Sequence, residues 1–140
     1  MKIHIIKQGE TAIEGYKKIE LLPGFMLLGL DEVSDNEADV IFANDILDAL
    51  PANVIQQTIS QLATKLRLGG TLTVGGTELR TFTKNVTNQT IPEEQAVDII
   101  RNSQSMVNVN KLSDLMRSMG LKIEAATING IHCEVKCVRN

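Results

Sequence analysis

The sequence predicts an α/β fold, and three stretches carry that expectation. In residues 38–51 an apolar run, Ala38-Asp39-Val40-Ile41-Phe42-Ala43, stops at Asn44 and Asp45 and gives way to a helical pattern, so a buried strand delivers a polar tip to the loop before a helix. In residues 53–74 apolar positions at helical spacing run into Gly69-Gly70 and then into the β-branched Thr71-Leu72-Thr73-Val74, a helix followed by a strand. Near the end, Asn129-Gly130 separates two apolar runs, 121–128 and 131–138, which is the strongest short signal for an antiparallel hairpin. Ligands of open α/β sheets bind outside the carboxyl ends of the strands, so Asn44 and Asp45 are the first candidates to touch one.

The elements follow in order. Lys2 to Lys7 is a β-branched apolar strand ending in the turn-like Gln8-Gly9-Glu10-Thr11. Residues 16–22 form a short second strand closed by Pro23-Gly24, and residues 25–30 a third, too short for a helix. No helix of ordinary length fits between these strands, although a parallel crossover commonly takes a dozen residues or more. Residues 31–39 read as an acidic surface loop, lacking the glycine and terminal Glu of a calcium loop. The helix from Asn53 places Val54, Ile55, Ile59, Leu62, Ala63 and Leu66 on one side, with Pro51 near its start, Lys65 and Arg67 in its last turn, and Gly69-Gly70 ending it. After the strand 71–74, Gly75-Gly76 allows a sharp turn. Residues 79–90 are rich in Thr and Asn with little periodicity and read as a loop. Ile91-Pro92-Glu93-Glu94 opens a helix with Ala96, Val97, Ile99 and Ile100 as its apolar face. Asn110 is a suitable N-cap for a further helix through Met119, which Gly120 stops.

Composition narrows the partners. The 140 residues suit one domain, 1–140, and 14 basic against 17 acidic residues give a net charge of −3 with no Lys or Arg block to track a phosphate backbone. Direct nucleic-acid binding is therefore not expected. No apolar run approaches the roughly 20 residues of a membrane span, and the first residues are too quickly broken for a signal peptide. The two Asn-X-Thr tripeptides at 85–87 and 88–90 then read as polar loop. Cys133 and Cys137 sit four apart on a strand, on one face and roughly 13 Å apart, too far to bridge, which points to reduced thiols and a cytoplasmic setting. Cys and His are too sparse and badly spaced for a metal site. His4 and His132 are lone histidines, Asp48 reads as a surface acid, and no residue declares itself a nucleophile or general base.

The order strand, helix, Gly-Gly, strand, helices and hairpin brings a family into view. Residues 38–51 resemble the fourth-strand signature "fDvI…vLeHlp" of class I S-adenosylmethionine-dependent methyltransferases, with Ala49 where the pattern has His. Leu66-Arg67-Leu68-Gly69-Gly70-Thr71-Leu72 resembles the family's "L+pGG.l", and residues 111–123 its "lL..aGF.." approach to the last hairpin. Met1-Lys2-Ile3-His4-Ile5 and Gly15-Tyr16-Lys17-Lys18-Ile19-Glu20 resemble the start and the "GY.NiD" of a compact subgroup. The resemblance covers nearly the whole chain. It implies a Rossmann-like, mostly parallel sheet with shortened N-terminal crossovers. It also implies that S-adenosylmethionine would lie against Ile6, Gln8, Gly9, Glu20, Asn44 and Asp45, Glu20 facing the ribose hydroxyls.

One departure stands against this. Where the subgroup has "LGCG", this chain has Ile5-Ile6-Lys7-Gln8 before Gly9, so Ile6 and Gln8 place side chains where glycines would let the backbone approach the cofactor. Two expectations follow. One is a methyltransferase with an unknown acceptor; the other is an inactive methyltransferase-fold protein serving as an interaction or assembly module, with a protein partner or further copies of itself.

Overall fold

A computed structural model describes all of residues 1–140. The elements are β1 (Lys2–Lys7), β2 (Lys17–Leu22), β3 (Met26–Leu28), β4 (Ala38–Ala43), α1 (Ala52–Lys65), β5 (Leu66–Thr77), α2 (Leu79–Thr87), α3 (Glu93–Asn102), α4 (Val109–Ser118), β6 (Leu121–Asn129) and β7 (His132–Arg139). The strands form one seven-stranded sheet in the order β3-β2-β1-β4-β5-β7-β6. The chain leaves β1 toward β2 on one side and returns to β4 on the other, so the strand order reverses between β1 and β4.

The sheet is mixed rather than mostly parallel. β1 pairs in parallel with β2 and β4, and β4 with β5, whereas β2–β3, β5–β7 and β6–β7 are antiparallel. The cause of the difference is local. β3 comes back from β2 through the turn Pro23-Gly24-Phe25, in which Gly24 and Phe25 take positive φ of 84° and 64°, and a hairpin turn leaves no room for a crossover.

Side chains alternate across each strand. One face presents Ile3 and Ile5 of β1, Ile19 and Leu21 of β2, Ile41 and Ala43 of β4, Leu72 and Val74 of β5, and Cys133, Val135 and Cys137 of β7. These join Ile55, Ile59 and Leu62 of α1 and Leu112 and Met116 of α4 in a single core cluster. Phe82, Ile91 and Ala96 of the α2–α3 region make a small satellite cluster against Ile131. On the other face Lys2, His4, Val40, Phe42, Thr71 and Thr73 are all at least partly exposed.

Several local expectations change. Residues 79–87 are a helix, because Glu78 accepts the Thr81 N–H as an N-cap and Phe82 and Val86, one turn apart, supply an apolar stripe that the Thr and Asn residues obscure. α1 ends at Lys65, and Gly69-Gly70 lies inside β5 instead of terminating the helix. Gly75-Gly76 makes no turn: β5 runs through to Thr77, and a Cβ at position 75 would lie 2.2 Å from the Asn44 carbonyl oxygen and 2.5 Å from that of Cys133. Asn108, not Asn110, caps α4, accepting the N–H groups of Asn110 and Lys111. On α3 only Ala96 is buried, while Val97 and Ile100 are 43% and 58% exposed. In the last hairpin Asn129 pairs with His132, so the connecting residues are Gly130-Ile131, and only Gly130 needs positive φ.

The Gly75 contact sets a test. Because both neighbours of the added Cβ are backbone, Gly75→Ala is expected to lower the unfolding free energy by about 3 kcal/mol or more in urea titration. Gly15→Ala, which meets open space but has φ of 84°, is expected to cost only about 1 kcal/mol.

Candidate functional site

The crevice lies at the carboxyl ends of β1, β4 and β5, where open α/β sheets bind ligands. β1 delivers Lys7 there and β4 delivers Asn44 and Asp45 just beyond its last residue. The fully buried Ile46 and Leu47 then anchor a single 3₁₀ turn, Leu47–Ala49, which aims Asp48 back into the crevice. β5 contributes Thr77, and β7 contributes His132 and Glu134, two apart and therefore on one face.

These side chains make a linked polar network, in which the buried Asp48 Oδ1 meets Lys7 as an ion pair and has no hydrogen-bond partner. The Lys7 Nζ lies 3.2 Å from Asp48 Oδ1 and 3.7 Å from Asp45 Oδ2. Thr77 Oγ1 donates to Asp48 Oδ2 at 3.4 Å, and Asn44 Nδ2 donates to Glu134 Oε1 at 3.5 Å. His132 stands between two acids, its Nδ1 3.8 Å from Asp45 Oδ1 and its Nε2 3.6 Å from Glu134 Oε1. Partial burial of Lys7 opposes its charge, but the carboxylates of Asp48 and Asp45 together outweigh that effect and hold its pKa above the ordinary lysine value. Lys7 is thus a fixed ammonium. Asp48, with its side chain only 17% exposed, is an acid of the crevice rather than of the surface.

The residues implicated by sequence separate into two groups. Asn44 and Asp45 belong to the network. Ile6 is buried, outside the main core cluster, and lies in register with Glu20 on the sheet face opposite Ile5. Glu20 sits before the end of β2 and is paired with Lys18 at 3.2 Å. Gln8 and Gly9 are exposed in the turn after β1, and Gly9 serves that turn with φ of 87° and open space where a Cβ would be. Sequence reasoning missed Lys7, Asp48 and the pairing of His132 with Glu134. The i, i+2 spacing on a strand is the signal that could have found the last pair.

Other groups are structural. His4 accepts the Ile13 N–H at Nδ1 (3.1 Å) and lies 5.5 Å, ring to ring, from Phe42. Burial pushes both Cys133 and Cys137 up to about 11, so neither thiol supplies a thiolate near neutrality. Glu78 is buried at the end of β5, where one oxygen accepts the Thr81 N–H at 3.0 Å and the other the Val109 N–H at 2.8 Å, capping α2 and bridging to the first turn of α4. No helix is long and apolar enough to cross a membrane.

No protein-family model matches the sequence, and no curated protein is detectably similar to it. Solved structures do match. A SAM-dependent methyltransferase from Archaeoglobus fulgidus superposes with a TM-score of 0.61 at 8% identity, over 99% of this chain and 86% of that one. The fold is that of the SAM-dependent methyltransferases. A magnesium protoporphyrin IX methyltransferase from Synechocystis, solved with bound SAH, shares this methyltransferase fold at a TM-score of 0.52 and 14% identity, covering 91% of this chain and 53% of its own. An O-methyltransferase family protein from Burkholderia thailandensis matches at 0.58 and 19% identity over 79% of this chain, which spans only 33% of that protein. The methyltransferase likeness is therefore one of fold.

Two substitutions probe that network and its support. Lys7→Met leaves Asp48 without its counter-charge and is expected to cost about 1 kcal/mol, a value discounted because the Lys7 side chain is 34% exposed. Adding Asp48→Asn should recover most of that loss in a double-mutant cycle read by urea unfolding. Glu78→Ala, which releases two buried backbone N–H groups, is expected to cost about 3 kcal/mol, and Glu78→Gln clearly less, since its amide oxygen still accepts one of them.

Proposed function

We propose that this protein is a methyltransferase-fold module that no longer transfers methyl groups and works by interaction or assembly. The observation that carries this reading is the Lys7 ammonium, held in the crevice by Asp48 at 3.2 Å and Asp45 at 3.7 Å. S-adenosylmethionine is itself a sulfonium cation. To use Asp48 and Asp45 it would have to compete with Lys7, which already pairs with both; the bare repulsion of two unit charges about 4 Å apart, roughly 4 kcal/mol at an effective dielectric of about 20, is offset in part by those same carboxylates. Ile6 and Gln8, standing where the family uses glycines, act in the same direction. A cytoplasmic setting, in which Cys133 and Cys137 stay reduced, belongs to the same reading.

One observation favours a second reading, an active S-adenosylmethionine-dependent methyltransferase of unknown acceptor. Asp45, Asp48 and Glu134 outnumber Lys7 in the crevice, and an excess of carboxylates suits a cationic ligand. In that reading Ile6, Gln8, Gly9, Glu20, Asn44 and Asp45 would surround the cofactor, and proximity and orientation would supply most of the catalysis. Titration calorimetry with S-adenosylmethionine and S-adenosylhomocysteine separates the two. The module reading expects no heat and no thermal shift at millimolar concentration, and saturable binding of either compound to the wild-type chain would overturn it.

A further inference from the structure

We infer that the helix-free face of the sheet is a homodimer interface, on which two copies of this chain pack face to face. The inference rests on the module reading for its biological role and names the partner and the surface that the reading leaves open.

Register defines the face. Lys2, Val40, Thr71 and Val138 form one row across β1, β4, β5 and β7, and His4, Phe42, Thr73 and Lys136 form the next. None of these residues is buried. Yet the strands at the centre, β1, β4 and β5, run parallel, and parallel sheets occur almost only with both faces covered, ordinarily by the crossover helices that connect their strands. The main core lies on the other face, and on this one, of β1, only Ile6 at the strand end is buried.

The relief of this face is self-complementary. On the β1 side the 8–16 connection forms a ridge: the Ile13 N–H is fastened to His4, the Tyr16 ring lies 6.4 Å from the His4 ring, and Ile13 is 43% exposed. On the other side, over β4 to β7, lies a hollow of about 460 Å3 whose lining comes entirely from strands, with Val40, Phe42 and Ala125 as its apolar part and Thr73, Glu134 and Lys136 among its polar part. Phe42 stands between the two, lining the hollow while lying 5.5 Å from the His4 ring. A two-fold axis lying in the interface, parallel to the strands and passing over Phe42, therefore seats each copy's ridge in the other's hollow, the reciprocal pattern of an isologous contact.

Charge and area agree. The lysines and acids of the face are mixed and partly paired, Lys18 with Glu20 at 3.2 Å and Lys136 with Glu124 at 3.5 Å, which gives no single-sign field to attract a nucleic acid or an anionic membrane. Seven strands about 4.8 Å apart and about six residues long span roughly 34 Å by 20 Å, so two faces would bury roughly 1,300 Å2, within the range of specific interfaces. The product is a four-layer sandwich, helices outside and two sheets about 10 Å apart inside.

Light scattering on the eluting wild-type chain tests this directly and is expected to give twice the mass of one chain. Phe42→Lys on the hollow side and Ile13→Lys on the ridge should each halve that mass. Both side chains lie outside the main core, so circular dichroism should stay unchanged. Ile100→Lys, on an exposed apolar position of α3, should leave the dimer intact. A wild-type mass of one chain, or a dimer that survives both Phe42→Lys and Ile13→Lys, overturns the interface. The calorimetry above keeps the two claims apart: a dimer that binds S-adenosylmethionine refutes the module reading alone, and a monomer that binds nothing refutes the interface alone.

Discussion

One-sided burial of the sheet is the constraint on which the other features depend. Ile3, Ile5, Ile19, Ile41, Leu72 and Val135 present an unbroken apolar surface to α1 and α4. Each fully buried Ile or Leu is worth about 1.5–3 kcal/mol, enough that a slip of one residue in any strand, which would turn this set to the opposite face, is strongly disfavoured. That register in turn fixes where each strand stops. Lys7, Asn44 and Thr77 arrive at one edge because the side chains behind them are committed to the core.

The edge is then locked by close approach and by charge. The main chain of β4 leaves the sheet across Gly75, where only a missing Cβ admits the Asn44 carbonyl. Asp48 is brought beneath Lys7 by the turn that follows. The result is a cluster of ion pairs at the strand ends of a methyltransferase-like fold. Lysine's pairing with two carboxylates there stabilises the protein.

Much of this was legible before the fold was known, and the divide has physical causes. β1, β4, α1 and the terminal hairpin carry strong short-range patterns, and the family likeness of residues 38–51 and 66–72 agrees with the fold shared with the solved methyltransferases. α2 was not legible because its helical stripe is just Phe82 and Val86 among Thr and Asn residues, and its cap is an acid one position before it. The role of Gly75 was hidden because it depends on neighbours from β4 and β7, remote in sequence. The crevice network was half legible: Asn44 and Asp45 follow from strand-tip reasoning, but Lys7 and Asp48 meet only once the sheet order places β1 beside β4. The third strand expected over residues 25–30 is present as β3, but its antiparallel direction was not legible, since the Pro23-Gly24-Phe25 turn that reverses the chain reads only as a strand end.

Glu78 gives the molecule a mechanical property as well as a cap. One carboxylate binds N–H groups from the first turns of α2 and α4, so neither helix can unwind at its amino end without releasing a shared partner. The Val107 carbonyl, accepting the Leu79 N–H, doubles the tie. The amino ends of α2 and α4 are therefore coupled through one acid at the end of β5, although the two helices pack in different clusters, α4 in the main core through Leu112 and Met116 and α2 in the satellite through Phe82.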